Sequence, residues 1–312
     1  CREEVEAMSQ SISPSCERRY GLAQVCRLWK ISRATLYRQR VKAPDETSAC
    51  GRRGPPGAAD DAELVAKIRA IIEASPFMGE GYRKIWARLR FSGVRTAARR
   101  VLRLMRDNGL LAPHRPAARP SRSHDGTIVT NRVDEVWGTD MTQTVTTEEG
   151  KAYVFIAVDH CSGELVGTHV SSSANRWQAL EPVRQGVSRH LGGIGKGSAQ
   201  RLVLRHDHGS NYMAGDFQRE ITFLGITSSP AFVRQPEGNG VAERAIRTLK
   251  EQFLWVRHFA TIEELRLALA AFAARHNASW LRARHGYKTP DQIRFDQKPL
   301  ASRTLMDLKL AA

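Results

Sequence analysis

The 312-residue chain is 41% hydrophobic and 26% charged, with 48 Lys+Arg against 32 Asp+Glu and a net charge of +16. That length and apolar content read as a globular protein of two or three domains. No apolar run approaches the roughly 20 residues of a membrane span, and the five cysteines, odd in number and without a C-x-x-C pair, argue against a disulfide framework or a zinc module.

The positive charge is concentrated at the front. Up to Gly126 there are 25 basic and 13 acidic residues, a surplus of twelve that leaves only four for the remainder. Such a concentration commonly marks a polyanion-binding surface, because each phosphate contact made by Lys or Arg releases condensed counterions. The thiols suit a reducing cytoplasm, and the first residue, Cys rather than Met, reads as the downstream part of a longer product.

Residues 21–40 carry apolar side chains at helical spacing on both sides of a short break at Lys30 and Ile31. Ser32 suits the N-cap of the second segment. This is a helix-turn-helix pattern, whose second helix would present Arg33, Thr35, Tyr37 and Arg38 where phosphates or base edges can be met. The same pattern suits an ordinary helical hairpin, and these residues leave both readings open. The Gly- and Pro-rich stretch 51–57 cannot sustain a helix or strand and reads as a linker. After it, Leu64, Val65, Ile68, Ile71 and Ile72 form the apolar stripe of a helix, with Asp60 and Asp61 at its N-terminal end.

A second helical pair follows, turning at Ser92 and Gly93 and closing at Gly109. In its last helix Val101, Leu102 and Met105 are expected to face inward, and Arg95, Arg99 and Arg103 outward. Two basic helical pairs in succession favour DNA as the partner. The Pro- and Arg-rich segment 114–123 reads as a flexible boundary that would let a DNA-binding head reach some distance from the body behind it.

From Glu135 the pattern changes to short strands. Strands are expected at Val136–Thr146, 152–158, 164–170, 202–206 and around 226–229, with helices at Arg176–His190, 213–224, 241–256 and 262–275. The order β-β-β-α-β-α-β-α is that of an α/β fold, a mixed five-stranded sheet with flanking helices. In it Asp140 lies within the first strand, Asp207 at the end of the fourth, and Glu243 at the start of the helix after the fifth. Thirty-five residues separate Asp207 from Glu243. Carboxylate oxygens are the hard ligands that Mg²⁺ or Mn²⁺ prefers, and two such ions could activate an attacking oxygen and stabilise a leaving one.

The neighbours carry more specificity than the spacing. Gly238-Asn239-Gly240 forms a turn before the helix, Glu243, Arg247 and Lys250 share one helical face, and Ile246, Leu249 and Phe253 form a separate apolar stripe. Arg247 and Lys250 would then grip DNA beside the metal while the helix stays anchored. The glycine-rich stretch 192–197 fails as a P-loop, since Gly197 replaces the required Ser/Thr and His190 the leading Gly, so no ATP is expected.

Three motifs, Trp137-x-x-Asp140, His206-Asp207-His208-Gly209-Ser210 and Asn239-Gly240-x-x-Glu243-Arg244, together with Cys26-Arg27-Leu28-Trp29, Gly81-Tyr82-Arg83-Lys84-Ile85 and His285-Gly286-Tyr287-Lys288-Thr289-Pro290, give the chain its likeness to a known family. The sequence resembles the transposase, or integrase catalytic subunit, of bacterial insertion sequences of the IS-three type, relatives of retroviral integrases. The resemblance covers nearly the whole chain. It implies a ribonuclease H-like core, a DDE triad at Asp140, Asp207 and Glu243 holding two Mg²⁺ or Mn²⁺ ions, and nicking and joining of DNA ends through a freed 3′-hydroxyl. It also implies double-stranded DNA as partner, both element ends and target, a homo-oligomer in a synaptic complex, a partner or fused product of the upstream reading frame, and a cytoplasmic place beside the bacterial nucleoid with no membrane. Ala245 stands where the family often has an aromatic residue, and no counterpart of the retroviral His/His/Cys/Cys zinc module stands out.

The resulting map has a helix-turn-helix-like segment at 1–50, a second helical DNA-binding domain at 60–112, a basic linker at 113–128, the ribonuclease H-like core at 129–258 and a helical extension at 259–312. The DNA-contact candidates are Arg33, Thr35, Arg38, Arg95 and Arg99 in the front half, and Asn239, Arg244, Arg247 and Lys250 around Glu243. Asp159 is a candidate for orienting the site from behind, though it equally suits a structural cap. His208, beside Asp207, could touch DNA or water, with packing the simpler role. A DNA-binding remnant or repressor without chemistry, and a nuclease that only hydrolyses, are the alternative functions.

Overall fold

The computed structural model describes residues 2–40, 59–113, 130–231 and 239–298. The segments 51–57 and 114–123, Gly238 of the active-site motif and the side chains of Thr35 and Arg38 lie outside the described residues. The chain divides into two compact units, Cys1–Ala58 and Ala59–Ala312.

In the first unit, helices α1 (Arg2–Gln10), α2 (Leu22–Leu28) and α3 (Arg33–Arg40) close around Val5, Val25, Cys26 and Leu36. The expected break between α2 and α3 is a sharp one. Lys30 takes a left-handed φ of 55°, and Ile31 N–H reaches back to Cys26 O at 2.9 Å, so the last carbonyls of α2 are satisfied as the chain turns. The first helix was not legible in the sequence; only Val5 of its side chains enters this small apolar core.

The second unit opens with α4 (Asp61–Ala74), α5 (Tyr82–Phe91) and α6 (Ala98–Asp107). Asp60 caps α4 by accepting from Ala62 N–H, and Gly109, at φ 64°, ends α6 as expected. Leu64, Ile68, Ile85, Leu89, Val101, Leu104 and Met105 are the core. Leu104 replaces Leu102 as the buried leucine, because Val101, Leu104 and Met105 form an i, i+3, i+4 stripe. Arg103 and Arg100 are not idle surface charge: both pair with Asp61, at 2.7 and 2.6 Å, and tie α6 to the start of α4. Arg95 and Arg99 are exposed.

These three helices dock on the body behind them. Phe77 meets Trp280 edge to face at 4.8 Å, Lys84 Nζ lies 3.1 Å from the centre of the same indole, and Gln252 bonds both the N–H and the carbonyl of Met78, at 2.8 and 3.0 Å. The packing explains why a segment expected to act as a separate head joins the same compact unit as the sheet.

That sheet has strands β1 (Val136–Thr146), β2 (Gly150–Asp159), β3 (Leu165–Ser171), β4 (Val203–His206) and β5 (Thr227–Pro230), in the order β3-β2-β1-β4-β5. The first three are antiparallel neighbours, whereas β4 and β5 run parallel to β1. This is the mixed sheet with flanking helices that the element order predicts, and it fits the ribonuclease H-like core that the resemblance implies. β2 is apolar from Ala152 to Val158 because its side chains feed two cores: Val154, Ile156 and Val158 one, Phe155 and Ala157 the other.

Helix α7 (Arg176–His190) covers the second face together with α8 (Ser210–Met213) and α9 (Gly215–Phe223). The helix expected at 213–224 is α9, and α8 is a further short helix ahead of it, set off by Ala214, whose ψ of 138° is extended. The break lets Tyr212 and Phe217 both pack on the buried ring of His206, at 5.7 and 6.0 Å. The first face is covered by α10 (Gly240–Leu249), a π-helical turn (Lys250–Leu254) and α11 (Ile262–Ser279), with α12 (Pro290–Gln297) beyond. The π turn replaces the last part of the α-helix expected at 241–256; its extra residue per turn brings Leu254 inside beside Phe253. α11 outruns its expected end at 275 because Asn277 is buried and bonds both backbone groups of Leu165, at 2.9 and 3.0 Å. No helix among the described residues is long and apolar enough to cross a membrane.

His276 gives α11 a pH dependence. Buried against Trp280, it is pushed down to about 4 by burial first, with Asn277 opposing the shift and Arg282 and Lys84 adding to it. A histidine held neutral by folding contributes its full stability above its unfolded value of about 6.5, and loses it as pH falls through the folded value. The expected cost of acidification from pH 7 to 4 is on the order of 3 kcal/mol from this group. Urea unfolding at both pH values checks it: His276→Gln should lose less stability than the parent, and equal losses would remove the assignment.

Candidate active site

Asp140 and Asp207 both follow the parallel pairing of β1 with β4, and Asp140 senses the charge of Asp207. Gly138 on β1 pairs with Arg205 on the parallel β4, and Asp140 and Asp207 each stand two residues further on. A two-residue step keeps side chains on one face of a sheet. That face is the one under α10, because Asp140 pairs with Ile156, a member of the core beneath α10 and α11.

Glu243 lies in the first turn of α10. The helix can settle closely on β1 because residue 138 has no side chain: a Cβ there would stand 2.9 Å from His160 Nε2, 3.1 Å from Asn239 Oδ1 and 3.2 Å from the Ala242 methyl. Asn239 donates from Nδ2 to Thr139 O at 3.1 Å, which fastens the start of α10 to the backbone just before Asp140. Asn239 is buried, so its expected role as a DNA contact gives way to a structural one. Gly138→Ala should displace the start of α10 and lower the nicking rate about ten-fold or more, since small errors in placing a catalytic group are costly. A nicking time course beside a thermal melt checks this; an unchanged rate in a folded variant would show that Gly138 does not set the position of Glu243.

The three carboxylates share one field. Burial pushes Asp140 up to about 6, the Met141 N–H bonded to its Oδ1 opposes the rise, Asp207 and Glu243 add to it, and Lys250 opposes it. Burial also raises Glu243. Asp207 Oδ1 accepts from Gly209 N–H at 2.8 Å in a tight turn. Among the described residues nothing donates to the second oxygen of Asp140 or Asp207, or to either oxygen of Glu243. The acids are therefore three hard donors with free lone pairs and mutual repulsion, which suits a divalent cation. Among the described residues no three His, Cys, Asp or Glu side chains are already close enough to hold one ion together.

Against known proteins, an HTH-like domain matches residues 58–118, and integrase core domains match 130–236 and 224–290. The transposase InsD of Escherichia coli insertion element IS2 is 30% identical over 244 residues, covering 76% of this chain and 78% of the relative. The chain belongs to the insertion-element transposases. A 48.2 kDa protein of insertion element IS2A, also from Escherichia coli, is 29% identical over 249 residues, or 78% of this chain, and the match spans 57% of that longer relative. Among solved structures, the catalytic core domain of BIV integrase is 21% identical with a TM-score of 0.38, over 52% of this chain and 95% of that one.

The other candidate residues of the transposase fall into distinct groups. Arg33, Arg95, Arg99, Arg244 and His208 are exposed. Arg247 is paired with Glu251 at 3.0 Å one turn along, while Lys250 opens the π turn within electrostatic reach of Asp140. Asp159 is fully buried and accepts from Ser162 N–H and Oγ, both at 2.7 Å, and from Asp134 N–H at 2.9 Å. It caps the turn after β2, so the structural alternative holds and the role behind the acids does not. Ala245 is partly buried against the core under α10. Gly138 and Asn239 are the functional features that sequence reasoning missed or misread; the nearest signal was the Trp137-x-x-Asp140 motif itself.

Proposed function

We propose that the transposase nicks the ends of its element and joins the freed 3′ ends to new DNA at a site formed by Asp140, Asp207 and Glu243. The observation that carries this reading is that Asp140, on the face covered by α10, feels the charges of both Asp207 and Glu243. In this reading the three carboxylates hold two Mg²⁺ or Mn²⁺ ions, which when bound would activate the attacking oxygen and stabilise the leaving one.

The chain's own residues position those acids. The β1–β4 pairing ends two residues before Asp140 and Asp207, and Asn239 holds the start of α10 on Thr139. Arg244 and Lys250 flank Glu243 and offer positive charge to the phosphodiester backbone. In the first step water attacks phosphorus, one P–O bond forms and another breaks, and the strand leaves with a 3′-hydroxyl. In the second that hydroxyl attacks another phosphodiester. Bond formation again balances bond cleavage, so the reaction asks for no ATP. Arg95 and Arg99 of the HTH-like region, and Arg33, Thr35 and Arg38 of the first unit, are the proposed contacts to element ends. A synaptic homo-oligomer on two ends and a target, with the product of the upstream frame as partner or fusion, completes the reading.

Incubation of the protein with labelled element-end duplex and Mg²⁺ tests it. Nicked and joined products are expected. Binding without either product would leave a DNA-binding remnant, and nicking without joining a nuclease.

A further inference from the structure

Four arginines from three separate parts of the chain converge behind the acids. Arg205 comes from β4, Arg244 from α10, and Arg282 and Arg284 from the hairpin between α11 and α12. Because Arg205 pairs with Gly138, it lies on the face of Asp140 and Asp207, one two-residue step back, or about 7 Å along the strands. The hairpin is strapped over the turn after β2: His285 Nε2 lies 2.8 Å from Cys161 O, Arg284 donates to Thr130 O at 2.6 Å, and the Arg282 guanidinium rests on Gly163. Gly163 leaves that space open, since a Cβ there would fall 2.4 Å from Arg282 Cζ.

The charges in this cluster are unbalanced. Arg282 is lowered to about 10, by burial first and then by Arg244 and Arg284. His160, next to Gly138, is lowered to about 4 by burial, then by Arg205 and Arg284. Among the described residues none of the four arginines has a carboxylate within ion-pairing distance, whereas Arg88, Arg100, Arg103, Arg247 and Arg294 all do. The carboxylate that Arg282 senses, Asp159, is committed to its turn. Polar atoms are left over as well: among the described residues both ring nitrogens of His160, which is 3% exposed, Nε of Arg205 and the acceptor Oδ1 of Asn239 have no partner. Buried donors without acceptors and neighbouring cations without an anion both oppose folding. A fold retains them where a ligand supplies what is missing.

We propose that Arg205, Arg244, Arg282 and Arg284, with His160 beneath them, bind the phosphodiester backbone of DNA next to the phosphate that reacts at the acids. The site deepens the transposase reading and rests on it. Arg244 and Arg284 are exposed and form the rim, and Arg205 and Arg282 are half-buried behind it. An anion there accepts from the guanidiniums and fixes the DNA in register with the carboxylates.

The test is fluorescence anisotropy with labelled element-end duplex in EDTA, where no chemistry occurs, over a series of KCl concentrations. Arg244→Gln/Arg284→Gln should weaken binding about ten-fold or more and reduce the slope of log K against log[salt] by about 0.9 for each lost phosphate contact. Arg282→Gln should act in the same direction; if circular dichroism shows it unfolded, the rim pair carries the test. Arg219→Gln/Arg266→Gln, at two exposed arginines paired with Asp216 and Glu263, removes the same two charges and controls for net charge. A rim-pair variant with the affinity and slope of that control would overturn the proposal. So would thermal stabilisation by inorganic phosphate that the rim pair abolishes without any change in DNA binding, since the site would then hold a free anion only. A parent protein that binds DNA with the full slope but never nicks it would count against the catalytic reading and leave this site standing.

Discussion

Asp207→Asn should reduce nicking and joining by at least about 10³-fold, the scale on which losing one preorganised electrostatic group acts. The substitution keeps the shape of the side chain, and its amide oxygen can still accept from Gly209 N–H, a bond now 2.8 Å long. What disappears is a negative charge that Asp140 feels. Affinity for element-end DNA should persist or rise slightly, because a carboxylate near a polyanion repels it. Gel analysis of products, paired with a binding isotherm on the same duplex, separates the two effects. Full activity in the variant would remove Asp207 from the site; loss of binding together with activity would point to unfolding.

Gly167→Ala is expected to be the most destabilising small change in the sheet. A methyl at this position on β3 would sit 1.9 Å from the Pro182 carbonyl oxygen and 2.6 Å from its carbon, both backbone atoms of α7. α7 cannot swing aside cheaply, because Gly186, one turn further on, lies against the buried indole of Trp137, with a virtual Cβ 2.7 Å from the ring. Overpacking between backbone elements that cannot yield costs about 3 kcal/mol or more. Trp137 is three residues from Asp140, so activity should fall with stability. Urea unfolding of Gly167→Ala against Gly215→Ala, where the nearest atom is the flexible end of Arg219 at 3.4 Å, checks the claim. A difference below about 1 kcal/mol would mean that α7 does adapt.

Much of this architecture was legible because its physical causes are local. A continuous apolar run marked β2 and a Thr- and Val-rich one β1, all five strands form near their expected places, and α7 runs from Arg176 to His190 as its pattern reads. Ile246, Leu249 and Phe253 are the buried stripe that their spacing predicts. The misreadings have tertiary causes. Extended Ala214 sets α8 off from α9 so that Tyr212 and Phe217 can both reach His206, and the π turn at Lys250–Leu254 buries Leu254 beside Phe253. Neither is encoded by propensity, because each gains its stability from contacts with distant parts of the chain.

The same division runs through the candidate site. By itself the sequence determined the acids, the helix that bears Glu243 and the basic character of the front half, since residue type and short-range periodicity are enough to specify those. Only the tertiary structure decided that Asp140 feels the charges of Asp207 and Glu243, that Asn239 faces inward to Thr139 rather than outward to DNA, and that Asp159 caps a turn. It alone brought Arg205, Arg244, Arg282 and Arg284 into one field. Register, burial and electrostatic convergence are relations between residues far apart in sequence, and folding fixes them by packing each element against its neighbours.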